Sequence, residues 1–386
     1  VSSSGDEAAP ARKPLPCAGR LLLAALAGLL VVGGTAPLAH AAPGPSRPLA
    51  RDAAPAPLFI TGLRGTRDIK QQINVYSRGN VTPLWSWVPP GNEPGLSCLR
   101  ESYGVTEAKW AANGTRIAAI VGNGVVVVSY PKGDLLFGAC NHTNMHSVEM
   151  LPGNRIAVAD TSSSAVGGVW VYSMDRRIAT EPIQRVGGLL SSHGLLWDET
   201  AKVLWAVGTD RWPQQGSDSP AVHGLLVAYR YDPVGDQPLS PQAVHTMRQS
   251  PALGEWPGWY DGPHDIAPVP GQRELIITTD LSVLVFDIDR AAFVSPSASG
   301  ASETRLKGFS SHVRERDDAG QALSGMKSIG LSPTDGIIYA QPSWRADFAN
   351  TVGFATEGGR QPGFMPGGSL YKARWFREMP GWPTAR

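Results

Sequence analysis

The amino-acid sequence predicts an all-β fold, a β-propeller of six blades, on three observations. With 44 Gly, 33 Pro, 12 Trp and only 17% charged residues, the composition suits many short strands joined by tight turns. Apolar runs of about four to eight residues recur between Pro, Gly, Asp and Asn turns, with no helical periodicity between them. Finally, one layout of short strand, turn and two apolar strands returns in five segments of the chain, the signature of a repeat architecture.

The N-terminus reads as a targeting segment. Arg12, Lys13 and Arg20 precede the apolar run Leu21 to Val32, and Ala39-His40-Ala41 follows in the small-x-small pattern of signal peptidase. That run is short for a bilayer span. Residues 1–41 are therefore expected to be a secretory signal, leaving a secreted protein with no membrane span once it is removed. Residues 42–57 form a Pro/Ala-rich linker, and 58–386 a single propeller domain.

Export gives the cysteines a meaning. Cys17 leaves with the signal, so Cys98 and Cys140 remain as a candidate disulfide in an oxidising compartment, with two free thiols as the alternative. The net charge of +1 offers no basic footprint for nucleic acid.

Five repeats begin at Glu107, His146, His193, His264 and Lys327. A sixth unit, Leu58 to Val88, has the later strands and no opening strand; with the tail around Tyr371 to Phe376 it is expected to close the ring. The ends, where repeats are hardest to count, leave five or seven blades open. Four-stranded antiparallel sheets repeated radially place each first strand along a central channel.

A shared register follows. Glu107, His146, His193, His264 and Lys327 each stand nine positions before Arg116, Arg155, Lys202, Arg273 and Gly336. These five ionisable side chains are thus expected around one axis as the catalytic set. A blade-tying histidine would recur as the same side chain, and Glu107 and Lys327 cannot replace imidazole in one hydrogen-bond pattern.

Loops entering the first strands, and those between second and third strands, open on one face and carry unusual residues. They supply Arg64, Arg67, Arg100, Tyr103, His142, Asp210, Arg211, Trp212, His223, Trp256, Trp259, Tyr260, His312, Arg314, Arg316, Trp344 and Arg345. The opposite turns, PGN, DET, PGQ and SPTD, are plain. Function is carried on loops of a rigid scaffold; aromatic faces suit sugar rings, and arginines suit carboxylates. Arg64, Arg67, Trp256, Trp259, Tyr260, Arg314, Trp344 and Arg345 are the expected substrate-binding residues.

Two chemistries fit such a ring. His146, His193 and His264 could hold a divalent metal, Mn, Zn or Ca. Without a metal, a neutral His or unprotonated Lys327 could abstract a proton while an arginine neutralises a carboxylate. Both suit β-elimination from a uronic acid. Ordinary glycoside hydrolysis wants a carboxylate pair, for which Glu107 with Asp265 or Asp261 are the candidates. The sequence contains no G-x-S-x-G elbow, P-loop, G-x-G-x-x-G, H-E-x-x-H or D-x-D-x-D-G calcium loop.

The repeat HSVEMLPGNRIAVA, with HGLLWD and HDIAPVPG, resembles a family of secreted bacterial propellers over most of Leu58 to Phe376. The His-lined channel is similar, more distantly, to propeller polysaccharide lyases of the oligogalacturonate lyase type. That resemblance implies a divalent metal held by histidines, with His146, His193 and His264 as ligands or catalytic groups. No glutamine here takes the fourth ligand place. The expected protein is a monomeric secreted lyase acting on an acidic oligo- or polysaccharide. A non-catalytic glycan- or protein-binding propeller, or a glycoside hydrolase using the same pocket, is the alternative.

Overall fold

The computed structural model describes residues 56–65, 70–101, 104–141, 143–162, 167–213, 221–250, 253–254, 260–294, 306, 315–316, 322–323, 325–343 and 346–385. The expected signal, most of the linker, and Arg67, Tyr103, His142, Trp256, Trp259, His312, Arg314, Trp344 and Arg345 lie outside them, as does the side chain of Arg316.

Six antiparallel sheets stand as blades of a six-bladed propeller. Blade 2 runs outward through Val105–Ala111, Arg116–Val121, Gly124–Ser129 and Leu135–Cys140, and gains Ile178–Ala179 in parallel at its edge. Blade 3 comprises Met145–Leu151, Arg155–Asp160, Gly168–Ser173 and Gln184–Gly187; blade 4, Leu190–Asp198, Val203–Thr209, Gly224–Tyr231 and Leu239–Thr246. Blade 5 comprises Pro263–Pro268, Glu274–Thr279, Val283–Asp287 and Ala292–Phe293; blade 6, Ser328–Ser332, Gly336–Ala340, Val352–Thr356 and Gly359–Phe364. A small hairpin, Glu315–Arg316 with Ala322–Leu323, lies in the loop ahead of blade 6.

Blade 1 is built from both chain ends. Leu370–Trp375 is its innermost strand, followed outward by Leu58–Leu63, Gln72–Ser77 and Trp85–Trp87. This closure explains why the first unit of the sequence lacks an opening strand.

The core lies between blades. Ile60 and Val75 of blade 1 share a cluster with Ala119 and Val128 of blade 2, and comparable clusters fill the other interfaces. Middle strands are buried on both faces, so they read as continuous apolar runs such as Val125 to Val128 rather than as alternation. Cys98, just ahead of blade 2, is disulfide-bonded to Cys140 at the end of its outermost strand, with Cα atoms 5.8 Å apart. The rim on the loop face is thereby tied at the entry and exit of one blade.

The chain beyond blade 1 crosses the turn face. Gly271 N donates to Pro380 O at 2.7 Å, and Trp382 Nε1 to Val269 O and Gln272 O at 3.0 and 3.1 Å. Asn113 N donates to Thr384 Oγ1 at 3.2 Å, and Ala385 is buried in the cluster of blades 3 and 4. The tail thus ties blade 5 to blades 2, 3 and 4 across that end of the channel.

Candidate functional site

In blades 2 to 5 a bulge sets the inward residues of the first strand, whereas the first strand of blade 6 pairs without a shift. Pairing with the second strand slips between Val105 and Glu107, Met145 and Ser147, Leu190 and Gly194, and Pro263 and Asp265. A bulge adds one residue to a strand and re-aims its side chains. Two consecutive layers of inward residues result.

The outer layer, nearest the loop face, is Thr106, His146, His193, His264, Lys327 and Tyr371. The three histidines and Lys327 do come together as the spacing predicts. His146 and His193 have ring centroids 4.5 Å apart, His193 and His264 5.3 Å, and His146 and Tyr371 4.8 Å. Lys327 Nζ lies 3.0 Å from His264 Nε2 and 5.9 Å from the centre of the Tyr371 ring.

Glu107 sits one layer deeper, and Thr106 takes the place expected for it. The first-to-second-strand turn has four residues in blade 2, between the paired Ala111 and Arg116, and three in blade 3, between Leu151 and Arg155. Counting nine back from the strand start therefore lands one residue further along in blade 2. In blades 4 and 5 the anchors Lys202 and Arg273 belong to the turn, so the same count reaches His193 and His264. Tyr371 was missed as the sixth member because its strand belongs to the chain's other end.

The deeper layer is Glu107, Ser147, Gly194, Asp265, Ser328 and Lys372, and it fastens blade to blade. Glu107 Oε2 accepts Val148 N at 3.3 Å, Ser147 Oγ accepts Leu195 N at 3.0 Å, Asp265 Oδ2 accepts Ile329 N at 3.3 Å and Ser328 Oγ accepts Ala373 N at 3.0 Å. Gly194 is the exception because a Cβ there would stand 2.8 Å from the Val207 side chain and 3.0 Å from Ile266 N. Lys372 reaches across instead, donating to His193 O at 2.7 Å.

Below, a third layer adds Lys109, Glu149 and Arg374. Arg374 Nε is 2.7 Å from Glu107 and its Nη2 is 2.6 Å from Asp265; Lys372 Nζ is 3.3 Å from Asp265, and Lys109 Nζ is 2.9 Å from Glu149. Three carboxylates and three cations thus fill the middle of the channel. Burial works to raise the Glu107 pKa, but Arg374, Lys109 and Lys372 outweigh it and hold the carboxyl down at about 2. The carboxylate pair considered for hydrolysis, Glu107 with Asp265, is locked on one guanidinium. Asp261, pushed up to about 6 mainly by burial, accepts Ser250 N and Leu281 N, each at 3.0 Å.

In the outer layer every imidazole has one anchored nitrogen and one bare one. His193 Nδ1 donates to Ser191 O at 2.7 Å, His146 Nε2 to Asn144 Oδ1 at 3.0 Å and His264 Nε2 to Asp280 Oδ1 at 2.7 Å. The Nδ1 atoms of His146 and His264 are buried and take no hydrogen bond. Burial, and then the neighbouring cationic groups, hold His146 and His193 well below the usual imidazole value and lower His264 as well, so all three are neutral at pH 7. Because Asp280 takes the His264 N–H, Lys327 faces that N–H, and burial lowers its own pKa against the pull of Asp280 and Asp347. Burial, followed by Asp280 and Asp347, raises Tyr371 well above the phenol range, so its O–H keeps its proton. His146, His193 and Lys327 retain some exposure, whereas Glu107, Asp265 and Lys372 beneath them are buried.

Of the rim residues, Arg64 lies 4.9 Å above Phe348, and Phe348 is 5.5 Å from Tyr371, continuing the aromatic wall outward. Tyr260 is a further electrostatic neighbour of Tyr371. Asp210, Arg211 and His223 pair among themselves in the blade 4 loop, beside the half-exposed Trp212. Asp280, missed in the sequence, directly follows the second strand of blade 5; by pairing register Thr161 holds its place in blade 3, so the repeat carried no signal for it.

A bare nitrogen opposite an anchored one is the state a metal requires of its histidines. Yet among the described residues no three His, Cys, Asp or Glu side chains are grouped to hold one ion. The donor types suit a metal and their grouping does not, so no chemical step is assigned to one.

No family model and no curated protein matches the chain. Among solved structures, a nidogen/laminin complex aligns with TM-score 0.47 and 10% identity over 82% of this chain and 97% of that one. A mitotic checkpoint complex aligns with TM-score 0.44 and 15% identity over 86% and 89%. Apo AztD from Citrobacter koseri aligns with TM-score 0.40 and 8% identity over 82% and 97%. The likeness is one of fold alone.

Proposed function

We propose that the loop-face pocket receives an acidic oligo- or polysaccharide outside the cell and cleaves it by β-elimination at a uronate. The observation that carries this reading is a neutral, oriented imidazole, His193, in the same six-membered ring of side chains as a phenol that keeps its proton, Tyr371, three blades away. Paired groups with opposed proton states are the usual equipment of acid–base catalysis.

His193 Nε2 takes the proton beside the carboxylate, the electron pair becomes the new carbon–carbon double bond, and the glycosidic carbon–oxygen bond breaks. Tyr371 then gives its proton to the leaving oxygen. Lys327 in the imidazole layer and Arg64 at the rim supply positive potential for the substrate carboxylate. The disulfide supports an oxidising compartment.

Purified protein incubated with a panel of acidic polysaccharides should generate the ultraviolet absorbance of unsaturated uronate, and His193→Ala should abolish it without changing the melting temperature. If every acidic glycan stays intact, the lyase reading is wrong. A second reading, glycan binding without turnover, is favoured by the depth to which burial pushes the imidazole pKa values, which makes them weak bases. In that case the same panel would show binding by calorimetry and no new absorbance.

A further inference from the structure

A cavity of about 110 Å³ lies at the turn-face end of the channel, between the ion network and the C-terminal tail. Water occupies roughly 30 Å³ per molecule in the liquid, so this space admits a small organic molecule. Its walls include four tryptophans, Trp110, Trp197, Trp375 and Trp382.

Three of those indoles have their N–H groups committed to the turns around the cavity. Trp197 Nε1 donates to Glu199 at 2.6 Å, Trp375 Nε1 to Gly336 O at 3.2 Å and Trp382 Nε1 to Val269 O at 3.0 Å. Carbon surface is what they have left to offer. Trp110 differs, because its Nε1 is buried and takes no partner.

The polar floor is specific as well. Glu149 uses Oε2 for Lys109, at 2.9 Å, and among the described residues Oε1 accepts nothing. Burial raises its pKa more than Lys109 lowers it, so one shared ammonium leaves this carboxylate under-compensated. Lys109 is divided between Glu149, Glu107 and Leu195 O. Arg374 spends Nε and Nη2 on Glu107 and Asp265, which leaves Nη1 unengaged.

We propose that this turn-face cavity is a binding site for a small zwitterion, an ammonium carboxylate whose cationic end lies among the indoles against Glu149 and whose carboxylate meets Arg374 Nη1. Aromatic faces attract alkylated ammonium groups, and a carboxylate pairs well with a guanidinium. The ion network is balanced, three carboxylates against three cations, so a ligand with no net charge leaves no buried charge unpaired. An ion of either sign would. The site is independent of the loop-face pocket, since the ion network separates them.

Glycine betaine is the probe, titrated into the full chain by calorimetry and tryptophan fluorescence. Tetramethylammonium and trimethylacetate, which carry one charge each, and the neutral tert-butanol are the controls. Betaine should bind at least about tenfold more tightly than any control, and Glu149→Gln should weaken it about tenfold, in line with the loss of one buried polar partner. Equal binding of betaine and either single-charge control, or no saturation by betaine, overturns the proposal. Should a variant fold poorly, the comparison of four ligands on the unmodified protein still decides it.

Discussion

The two inner layers of the channel both carry ionisable side chains and use them for opposite ends. His264 and Asp265 are adjacent on one strand, as are Thr106 and Glu107, yet one residue of depth separates groups with unengaged atoms from groups that are fully paired. Glu107 takes Arg374, Lys372, Lys109, Ser147 and a backbone N–H. His146 takes one side-chain amide and leaves its other nitrogen bare. His264 and Asp265 are both buried, so burial of an ionisable group alone does not mark a site. What distinguishes the outer layer is unused hydrogen-bonding capacity.

The sharpest way to break this contrast is to remove the central cation. Arg374→Met should strand the Glu107 and Asp265 carboxylates and cost about 3–5 kcal/mol in denaturant unfolding, the range for breaking a buried charge network on one side. If the loss is below about 1 kcal/mol, the deeper layer is not the structural lock inferred here. Glu107 also sets an acid limit. Its folded value of about 2 lies below its unfolded value of 4.5, so it contributes stability above pH 4.5 that is lost as the pH falls towards 2.

The histidines carry the same sign at a higher pH. Their folded pKa values lie below the unfolded 6.5, so the unfolded chain binds protons first and stability falls as the pH drops below 6.5. Asp261, raised to about 6, and Glu149 act in the other direction as the pH rises through the carboxylate range. A difference measurement isolates the histidine part. His146→Gln should lose less stability than the parent protein between pH 6.5 and about 5, read from urea midpoints, and equal slopes would mean that His146 titrates alike in the folded and unfolded chain.

Much of this arrangement was legible in the sequence because a propeller repeats its geometry. The missing first strand before Leu58 foretold closure by the tail, and His146, His193, His264 and Lys327 share a layer as their spacing implies. Glu107 slipped because turn length between strands varies by one residue, and a shift of one moves a side chain to a new layer. Asp280 and Tyr371 stayed hidden because their neighbours come from other strands and blades. The tail across the turn face carries no repeat signal at all; only its contacts with Val269, Gly271 and Asn113 reveal it.

The smallest expected stability effect makes the sharpest test of the outer layer. In Lys327→Met a thioether chain of similar length replaces an amine whose pKa burial has already lowered. Asp280 keeps His264 and the Gly262 N–H as partners, so no carboxylate is stranded. Stability should change by less than about 1 kcal/mol in either direction, the outcome when a buried polar group gives way to an apolar one of similar shape. Acidic-glycan binding should nonetheless weaken by about tenfold, since the chain loses the one lysine that shares the imidazole layer. A loss of several kcal/mol would place Lys327 with Arg374 among the locking groups and erase the distinction between the layers.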